Sequence, residues 1–448
     1  MFKEVCKELF DFVAGSPTAF HTVQSVSEML RAAGYTRLLE NEPWKLQAGG
    51  KYFCTRNGSS VIAFSYPKDD FKTFSIVAPH GDSPTFKIKE SPEMRGEGYT
   101  RLNTEVYGGM NIGLWLDRPL SVAGRVFVRD GDAVRQRLVH LKRDLFVIPS
   151  LAIHMNPEVN KGVKLNTQTE TLPLFGGADA DFLRLIAAEA GTEKENIISY
   201  DLYLYNRQKG ILYGEKEEFI ACPKLDDLQC AFSAVKAFTA SDNGENCRIL
   251  SIFDNEEIGS MTKQGADSTF LSDVIERICL SAGKTKEQQF AAVAAGFVLS
   301  ADNAHAVHPG YPASADPTNK PVLNRGVVVK NNTRYATDSV SAAVFRKICE
   351  DADVPCQSYY KRSDGPGGST LGNILGTHVS MNTVDIGAPQ LAMHSPYETG
   401  GAQDTLYMIK AMTRFYQTCI VPEKDGFRIA APETVQNKDL WTDISSKS

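Results

Sequence analysis

The six residues DNEEIG at 254–259 constrain the fold of this chain more than any other feature, because they directly follow the apolar run ILSIF at 249–253. An apolar run of this length is typical of a buried strand. Unpaired carboxylates at the end of a buried strand carry a large desolvation cost. We therefore expect the fold to bring a cation to this strand end, and a metal ion is the obvious candidate.

Size and composition limit the classes of protein to which this chain can belong. A chain of 448 residues is too long to fold around one small hydrophobic core, so two domains or one domain with a large insertion are expected. Hydrophobic residues at 42% and charged residues at 23% are typical of a globular protein and exclude a mainly disordered or coiled-coil chain. The net charge of −6, without a long basic run, predicts that nucleic acid is not a partner.

Cysteine spacing and the distribution of apolar residues predict a cytoplasmic location. The nine cysteines are scattered and contain no Cys-x-x-Cys pair, which favours reduced, buried thiols over a disulfide framework or a zinc ribbon. The first eleven residues mix charged and apolar side chains, unlike a signal peptide. No stretch reaches the ~18 apolar residues that a membrane span requires, so no membrane partner is expected.

The order of elements predicts an α/β fold with a mixed-sheet catalytic domain that is interrupted by a mostly β insertion. An amphipathic helix is predicted from Ser16 to Ala33, with Ser16 as its N-cap and Pro17 in its first turn. From residue 222 onward, apolar strands alternate with helices, including one over 405–420. The predicted domains are the first part of the catalytic domain (1–90), the inserted β-rich domain (91–221) and the second part of the catalytic domain (222–448).

Acidic and imidazole side chains stand where several predicted strands end. His80 and Asp82 follow the strand predicted at 73–78, at the sheet edge where open α/β folds bind ligands. If the backbone stays extended, both side chains point to one side, and Asp82 can accept the second N–H of the His80 imidazole. Alone, each such residue is more often a cap, a turn or a surface group. The remaining candidates at matching breaks are Asp226, Asp302 and His394.

Charge counting favours two divalent ions in this cluster. Two ions bring +4, against −3 from Asp226, Glu257 and Asp302, while His80 and His394 are neutral. Oxygen and imidazole ligands fit zinc, with manganese or cobalt as substitutes. A pair of ions ~3.5–4 Å apart acidifies a shared water and polarises a carbonyl group.

Glu256 is the candidate general base. Neighbouring side chains leave an extended backbone in opposite directions, so Glu257 is expected to reach the metal and Glu256 to take the proton from water. The alternative is that Glu256 is a solvated acid in a turn. Neither a Gly-x-Ser-x-Gly elbow nor a His-Glu-x-x-His helix is present, which disfavours serine hydrolases and ordinary zincins. The glycine-rich segment 363–370 lacks the ending of a phosphate loop and is expected to shape a helix N-terminus at the rim of the site.

Taken together, these motifs resemble the M18 metallopeptidases, and the chain is most similar to the aspartyl aminopeptidases of that family. The resemblance extends from the first helix to the last and includes YGG at 107–109, IPSLAIH at 148–154 and RYA at 334–336. The motifs that carry it, in the family's order, are HGDSP at 80–84, KLD at 224–226, DNEEIG at 254–259, SADNAHA at 300–306 and MHS at 393–395.

The resemblance implies a role for each residue of the site. Asp226 would bridge two zinc ions, with His80 and Asp302 completing one site and Glu257 and His394 completing the other, while Glu256 acts as the base and Asp82 supports the catalysis.

Substrate-binding roles are also implied only by the resemblance. Lys330 would receive an acidic N-terminal side chain, although a lysine after an apolar strand is more often a solvated strand end. His305 matches an active-site histidine. His154 matches a histidine that reaches a neighbouring subunit's site, although by itself it is equally consistent with a core histidine. The resemblance further implies dimers, formed through the β insertion, that assemble into a dodecamer.

The sequence therefore predicts a cytoplasmic dinuclear zinc aminopeptidase that removes an N-terminal residue, preferably Asp or Glu, from peptides. The main alternative is an M18 aminopeptidase of broad or neutral, leucine-type specificity. Two further alternatives are a related dinuclear carboxypeptidase or deacylase, and a particle-forming scaffold that keeps metal only for stability.

Overall fold

The computed structural model describes residues 1–162, 164–241, 245–365 and 368–430. Residues 431–448 of the predicted second catalytic segment, and Pro366 and Gly367 of the glycine-rich segment, lie outside the described residues. Within the described ranges the α-helices are α1 (Phe2–Gly15), α2 (Ala19–Ala32), α3 (Phe182–Ala190), α4 (Leu225–Ala240), α5 (Phe270–Ser281), α6 (Lys286–Ala294), α7 (Ser339–Asp351), α8 (Leu371–His378) and α9 (Asp404–Tyr416).

Within the described residues the strands form four sheets. They are β1 (Thr36–Arg37), β2 (Lys51–Arg56), β3 (Ser60–Ser65), β4 (Phe74–Ala78), β5 (Thr85–Gly96), β6 (Tyr99–Tyr107), β7 (Leu120–Asp130), β8 (Ala133–His140), β9 (Leu174–Gly177), β10 (Ile197–Asn206), β11 (Ile211–Tyr213), β12 (Phe219–Cys222), β13 (Cys247–Ile252), β14 (Phe297–Ala301), β15 (Ala304–His305), β16 (Val327–Lys330), β17 (Cys356–Tyr359), β18 (Asn382–Gly387), β19 (Pro389–Leu391), β20 (Glu398–Gly401), β21 (Cys419–Glu423) and β22 (Gly426–Ala430).

A nine-stranded mixed sheet forms the centre of the molecule, in the order β1-β2-β3-β13-β4-β14-β18-β16-β17. Its four inner strands β13, β4, β14 and β18 are mutually parallel, while β3 and β16 run antiparallel to them. The carboxyl ends of the parallel strands therefore meet at one edge. The predicted α/β class with a mixed sheet is confirmed.

Helices cover both faces of this sheet. Along β13, Ile249 packs into the layer formed with α5 and α8, and Leu250 packs into the layer formed with α1, α2, α4, α7 and α9. A strand that is buried on both faces must be apolar at consecutive positions. This explains why the run before the acidic segment has no polar face.

A six-stranded antiparallel sheet, in the order β8-β7-β10-β5-β6-β9, builds a second core on which α3 packs. Its first strand, β5, begins at Thr85, before the predicted start of the insertion at residue 91. Strands β11 and β12 lie instead in a five-stranded sheet with β15, β19 and β20 from the second half of the chain. The predicted domain boundaries stay predictions.

Two predicted helix ends are wrong. Ser16 does not begin α2 but follows α1, where its N–H donates to the Val13 carbonyl over 3.1 Å, and α2 begins after Thr18. The helix predicted over 405–420 ends at Tyr416, since Cys419–Glu423 pairs with Gly426–Ala430 as a hairpin. In both places a neighbouring element, α1 in the first case and the hairpin of β21 and β22 in the second, limits the extent of the predicted helix.

The predicted reduced, buried thiols are present. All nine cysteines are free, and eight of them are buried. Within the described ranges no helix has the length and apolarity needed to span a bilayer.

Two histidines, one buried and one partly buried, lie where α2 meets the six-stranded sheet. The ring of His21 on α2 lies 5.3 Å from the ring of His140 on β8, and its Nδ1 is 2.9 Å from the Thr18 hydroxyl. Burial lowers the pKa of His21 to about 3 and the pKa of His140 to about 4. Both rings are therefore neutral near pH 7.

This contact predicts a loss of stability in acid. The folded-state pKa of His21 lies below its ordinary value of 6.5, so the unfolded chain binds protons first as the pH falls. The stabilisation is complete above pH 6.5 and decreases toward pH 3, by about 2 kcal/mol at pH 5. We expect His21→Gln to flatten the pH dependence of the unfolding free energy in denaturant titrations. Exposed His308, replaced by Gln, is the control, and parallel curves for His21→Gln and the unmodified protein would contradict the prediction.

Candidate metal centre

Three parallel strands deliver acidic and imidazole groups to one sheet edge. His80 follows β4, Glu256 and Glu257 follow β13, and Asp302 follows β14. His80 continues alongside the end of β13 through a parallel bridge to Phe253. The predicted convergence of strand ends is therefore present, and it follows from strand direction alone.

The other two candidate ligands arrive from the five-stranded sheet. Asp226 lies in the first turn of α4, shortly after β12, and His394 follows β19. Asp226 is 3% exposed and carries non-helical backbone angles, so it does not act as an ordinary helix residue. The site is thus assembled from two sheets.

Asp226 lies at the centre of the cluster. Its Oδ1 is 3.4 Å from His80 Nε2, and its Oδ2 is 3.4 Å from His394 Nε2. Asp302 Oδ1 is 3.9 Å from His80 Nε2, and Glu257 Oε2 is 3.4 Å from His394 Nε2. The donors therefore form two groups that share one carboxylate.

The cluster fits a divalent cation. Asp226 Oδ1 and Glu257 Oε1 are buried and complete no hydrogen bond within the described part of the chain, whereas buried polar atoms normally have partners. Burial, followed by repulsion from Asp226, raises the pKa of Glu257 well above its ordinary value. Against the opposing effect of burial, Asp226 raises the pKa of His394 to about 9. Imidazole and carboxylate donors that lie this close together match the ligands of a zinc site.

The side chains of Glu256 and Glu257 point in different directions, but the physical reason differs from the predicted one. Residues Glu256–Ile258 form a 3₁₀ turn after Asn255, which has φ 62°, so the premise of an extended backbone is wrong. Glu257 contacts His394, whereas Glu256 faces the open cavity. Burial raises the pKa of Glu256 to about 7, and nearby carboxylates add to this rise. The role of Glu256 as a base stays a prediction.

Asp82 contacts both the turn at Glu256–Ile258 and the ring of His80. Its Oδ1 accepts the N–H of Glu256 over 3.2 Å, and its Oδ2 accepts the N–H of Glu257 over 3.2 Å and the Tyr107 hydroxyl over 2.7 Å. Its Oδ1 also lies 3.4 Å from His80 Nδ1. Asp82 therefore positions three residues of the cluster, not only the histidine.

An open cavity of about 620 Å³ lies against the cluster. Apart from Asp226, Glu256 and Asp302, no carboxylate of the described residues lines it. The cavity therefore has an acidic floor and a basic wall. The basic and imidazole residues of the wall are His305, His308, Lys320, Lys330, Lys361 and Arg362.

Lys330 contacts a candidate metal ligand directly. Its Nζ donates to the carbonyls of Asp302 and Asn303 over 2.8 and 3.2 Å and lies 3.0 Å from Asp302 Oδ2. The Thr370 hydroxyl donates to the same Oδ2 over 2.7 Å. Asp302 is thereby oriented with Oδ1 toward His80.

Two further sequence predictions have different outcomes. Gly365, Gly368 and Ser369 line the cavity just before α8, which confirms that the described part of the glycine-rich segment lies at the rim. His154 is exposed and is not among the described residues that line the cavity, so its contact with a neighbouring subunit stays a prediction.

Sequence reasoning missed a layer of residues beneath the ligands. Glu398 accepts the backbone N–H groups of Asp226 and His394, over 3.0 and 2.8 Å. Asp227 accepts the backbone N–H groups of His80 and Asn303. The only signal was position, since Asp227 follows Asp226 and Glu398 stands four residues after His394.

Comparison with known proteins agrees with this geometry. The family model described as aminopeptidase I zinc metalloprotease (M18) matches residues 12–416. The probable M18 family aminopeptidase 2 of Clostridium acetobutylicum is 45% identical over 426 residues, which cover 92% of this chain and 98% of the relative.

Solved structures are similar over nearly the same range. In the cryo-EM structure of the Ape4 and Nbr1 complex, a chain matches with a TM-score of 0.90 and 38% identity, covering 93% of this chain and 86% of that chain. The S. cerevisiae mApe1 dodecamer matches with a TM-score of 0.82 and 28% identity, covering 93% and 97% of the two chains.

Metal binding is expected to stabilise the folded state. An ion at 100 times its dissociation constant adds about 2.7 kcal/mol if it does not bind the unfolded chain. Titration of zinc into chelator-stripped protein should raise the unfolding temperature, and His80→Ala should reduce that rise. His378→Ala, which removes a histidine paired with Asp267, is the control. Equal rises in His80→Ala and the unmodified protein would exclude His80 as a ligand.

Proposed function

Because this chain belongs to the M18 family of zinc metallopeptidases and is a metallo-aminopeptidase, we propose that it uses two zinc ions per subunit and prefers an N-terminal Asp or Glu. One observation carries the proposal. Asp226 turns one oxygen toward each of two donor groups, and the cavity beside it has a basic wall.

Two groups of donors support two ions. His80, Asp226 and Asp302 lie in one group together with Asp227, whose two oxygens accept backbone N–H groups, and Asp226, Glu257 and His394 form a second. His80 also lies within reach of Glu256 and Glu257. When bound, such ions lower the pKa of water and polarise a carbonyl group. Manganese or cobalt are acceptable substitutes because both accept imidazole and carboxylate ligands.

Glu256 is proposed to move the proton. It lines the cavity beside the candidate ligands, where its carboxylate can accept a proton from the attacking water. The same carboxyl group then returns the proton to the leaving amine. Asp82 keeps Glu256 in place through the 3.2 Å hydrogen bond from the Glu256 N–H.

The basic wall supports the preference for acidic residues. Lys330, His305, Lys361 and Arg362 line the cavity, and Lys330 contacts Asp302 directly. An acidic side chain entering this cavity gains attraction from the wall, whereas leucine does not. Lys330 remains the proposed receiver of the side chain, and it would exchange one of its contacts to Asp302 or Asn303 for the substrate carboxylate, since its three N–H donors are already engaged. Broad or neutral specificity is the alternative that the substrate panel below tests.

We also propose assembly into dimers and a dodecamer, as in the similar mApe1 dodecamer. The loop around His154 exposes Leu151, Ile153 and Met155 at 57%, 53% and 74%. Neighbouring exposed apolar side chains mark an interaction surface. A cytoplasmic location, with peptides as substrates, is part of the same proposal.

The first test separates catalysis from metal binding. Glu256→Gln keeps the size of the side chain but cannot take a proton, so we expect kcat to fall by ~10²–10⁴-fold. Metal content by atomic absorption and the assembly state by light scattering should not change. Full activity in this variant would refute the mechanism, and an inactive unmodified protein would support the scaffold alternative.

The second test concerns specificity and uses a panel of N-terminal Asp, Asn, Glu and Leu anilides. Asn has the shape of Asp without its charge, so the Asp to Asn ratio of kcat/KM measures the charge preference. Lys330→Met should lower this ratio by roughly 10-fold, the loss of one charge-assisted contact. Lys284→Met, which removes a side chain that is 6% exposed and lies outside the cavity, is the control.

An unchanged ratio in Lys330→Met would remove Lys330 from the proposed pocket. Equal kcat/KM for Asp and Leu in the unmodified protein would favour the broad-specificity alternative. Acetylation of the substrate amine should abolish hydrolysis, and continued turnover of acetylated peptides would instead indicate a carboxypeptidase or deacylase.

A further inference from the structure

We propose that Glu398 is a positioning residue that sets the separation of Asp226 and His394 at the metal centre. The side chain of Glu398 is buried, with 2% of the residue exposed. Its Oε2 accepts the backbone N–H of Asp226 over 3.0 Å, and its Oε1 accepts the backbone N–H of His394 over 2.8 Å. One carboxylate thus ties together the shared ligand and the histidine of the second donor group.

The two tied segments need such a restraint. His394 has φ 64°, and Lys224, two residues before Asp226, has φ 56°. A residue other than glycine in this left-handed region is strained and keeps the conformation only when its surroundings hold it. The 2.8 Å hydrogen bond from the His394 N–H to Glu398 Oε1 is one contact that holds this conformation.

The restraint extends to the first donor group through two amides. Gln390 Nε2 donates to Glu398 Oε1 over 3.3 Å, and Gln390 Oε1 accepts Asn303 Nδ2 over 2.8 Å. Asn303 directly follows Asp302 and also donates to the Leu225 carbonyl over 2.9 Å. Segments that carry ligands of both donor groups are therefore linked by one buried network.

Glu398 acts through these ligands and not as a ligand itself. Both of its oxygens accept N–H donors, and it is absent from the described groups of side chains that could hold an ion. It lines a small cavity behind the cluster and is not among the residues of the large cavity where substrate would enter. Its described hydrogen-bond partners are all N–H groups, which leaves both oxygens of Glu398 engaged in the network.

The test compares two buried carboxylates that each accept two backbone N–H groups. Glu398→Gln keeps the shape but turns an NH₂ toward one donor. Asp404→Asn is the matched control, since Asp404 is 1% exposed and accepts the N–H groups of Asn324 and Gly326 over 2.7 and 3.2 Å at the start of α9. Zinc affinity is measured by competition with a chromogenic chelator, alongside thermal unfolding of both metal-free variants.

We expect Glu398→Gln to weaken zinc binding by ~10–100-fold, the usual effect of removing a partner behind a metal ligand. Its kcat at saturating zinc should fall equally for Asp and Leu substrates, with KM changed by less than about 2-fold. Asp404→Asn should lower the unfolding temperature without changing zinc affinity.

Zinc affinity in Glu398→Gln equal to that of the unmodified protein would overturn the proposal. If that variant does not fold, Glu398→Asp replaces it, because the shorter side chain keeps two acceptor oxygens but cannot reach both N–H groups. Unchanged affinity in folded Glu398→Asp would overturn the proposal equally. The inference rests on the metal centre of the proposed function. If the proposed function is wrong, the unmodified protein itself will lack zinc binding or peptidase activity, whereas a failure of the Glu398 proposal shows only in the comparison with the variants.

Discussion

Repulsion among buried carboxylates is the constraint on which the rest of this structure depends. Parallel strands end at the same edge, so an acidic residue after each one gathers negative charge in a place from which water is excluded. Burial raises the pKa of Glu256, and neighbouring carboxylates raise it further. Such a cluster is stable only with cations among its members, and a metal ion supplies charge without the bulk of lysine or arginine side chains.

The positions of the ligands followed from the sequence because they depend on strand direction and strand ends. The candidate ligands His80, Glu257 and Asp302 each follow a short continuous apolar run, and such a run is typical of a strand buried on both faces. The turn that carries Glu256 was not predictable in this way. It depends on Asn255 adopting φ 62° and on Asp82 accepting two N–H groups, which is a contact between segments more than 170 residues apart in the chain.

The supporting residues escaped prediction for a related reason. A carboxylate that accepts backbone N–H groups, as Glu398 and Asp227 do, leaves no periodicity in the sequence, because its partners are main-chain atoms of any residue type. The predictions of the two helix ends were wrong for a different reason. Ser16 has the chemistry of an N-cap, but α1 already occupies the chain up to Gly15, and only tertiary packing decides which helix a polar residue belongs to.

The contact between Lys330 and Asp302 limits how the selectivity of this enzyme can be redesigned. The ammonium group that lines the large cavity also contacts a candidate zinc ligand. If Lys330 receives the substrate side chain as proposed, a substitution intended to admit neutral residues would alter metal retention at the same time. An engineer who wants the two properties separate would start at Lys361 or Lys320, which line the same cavity and, among the described residues, form no hydrogen bond or ion pair with the cluster.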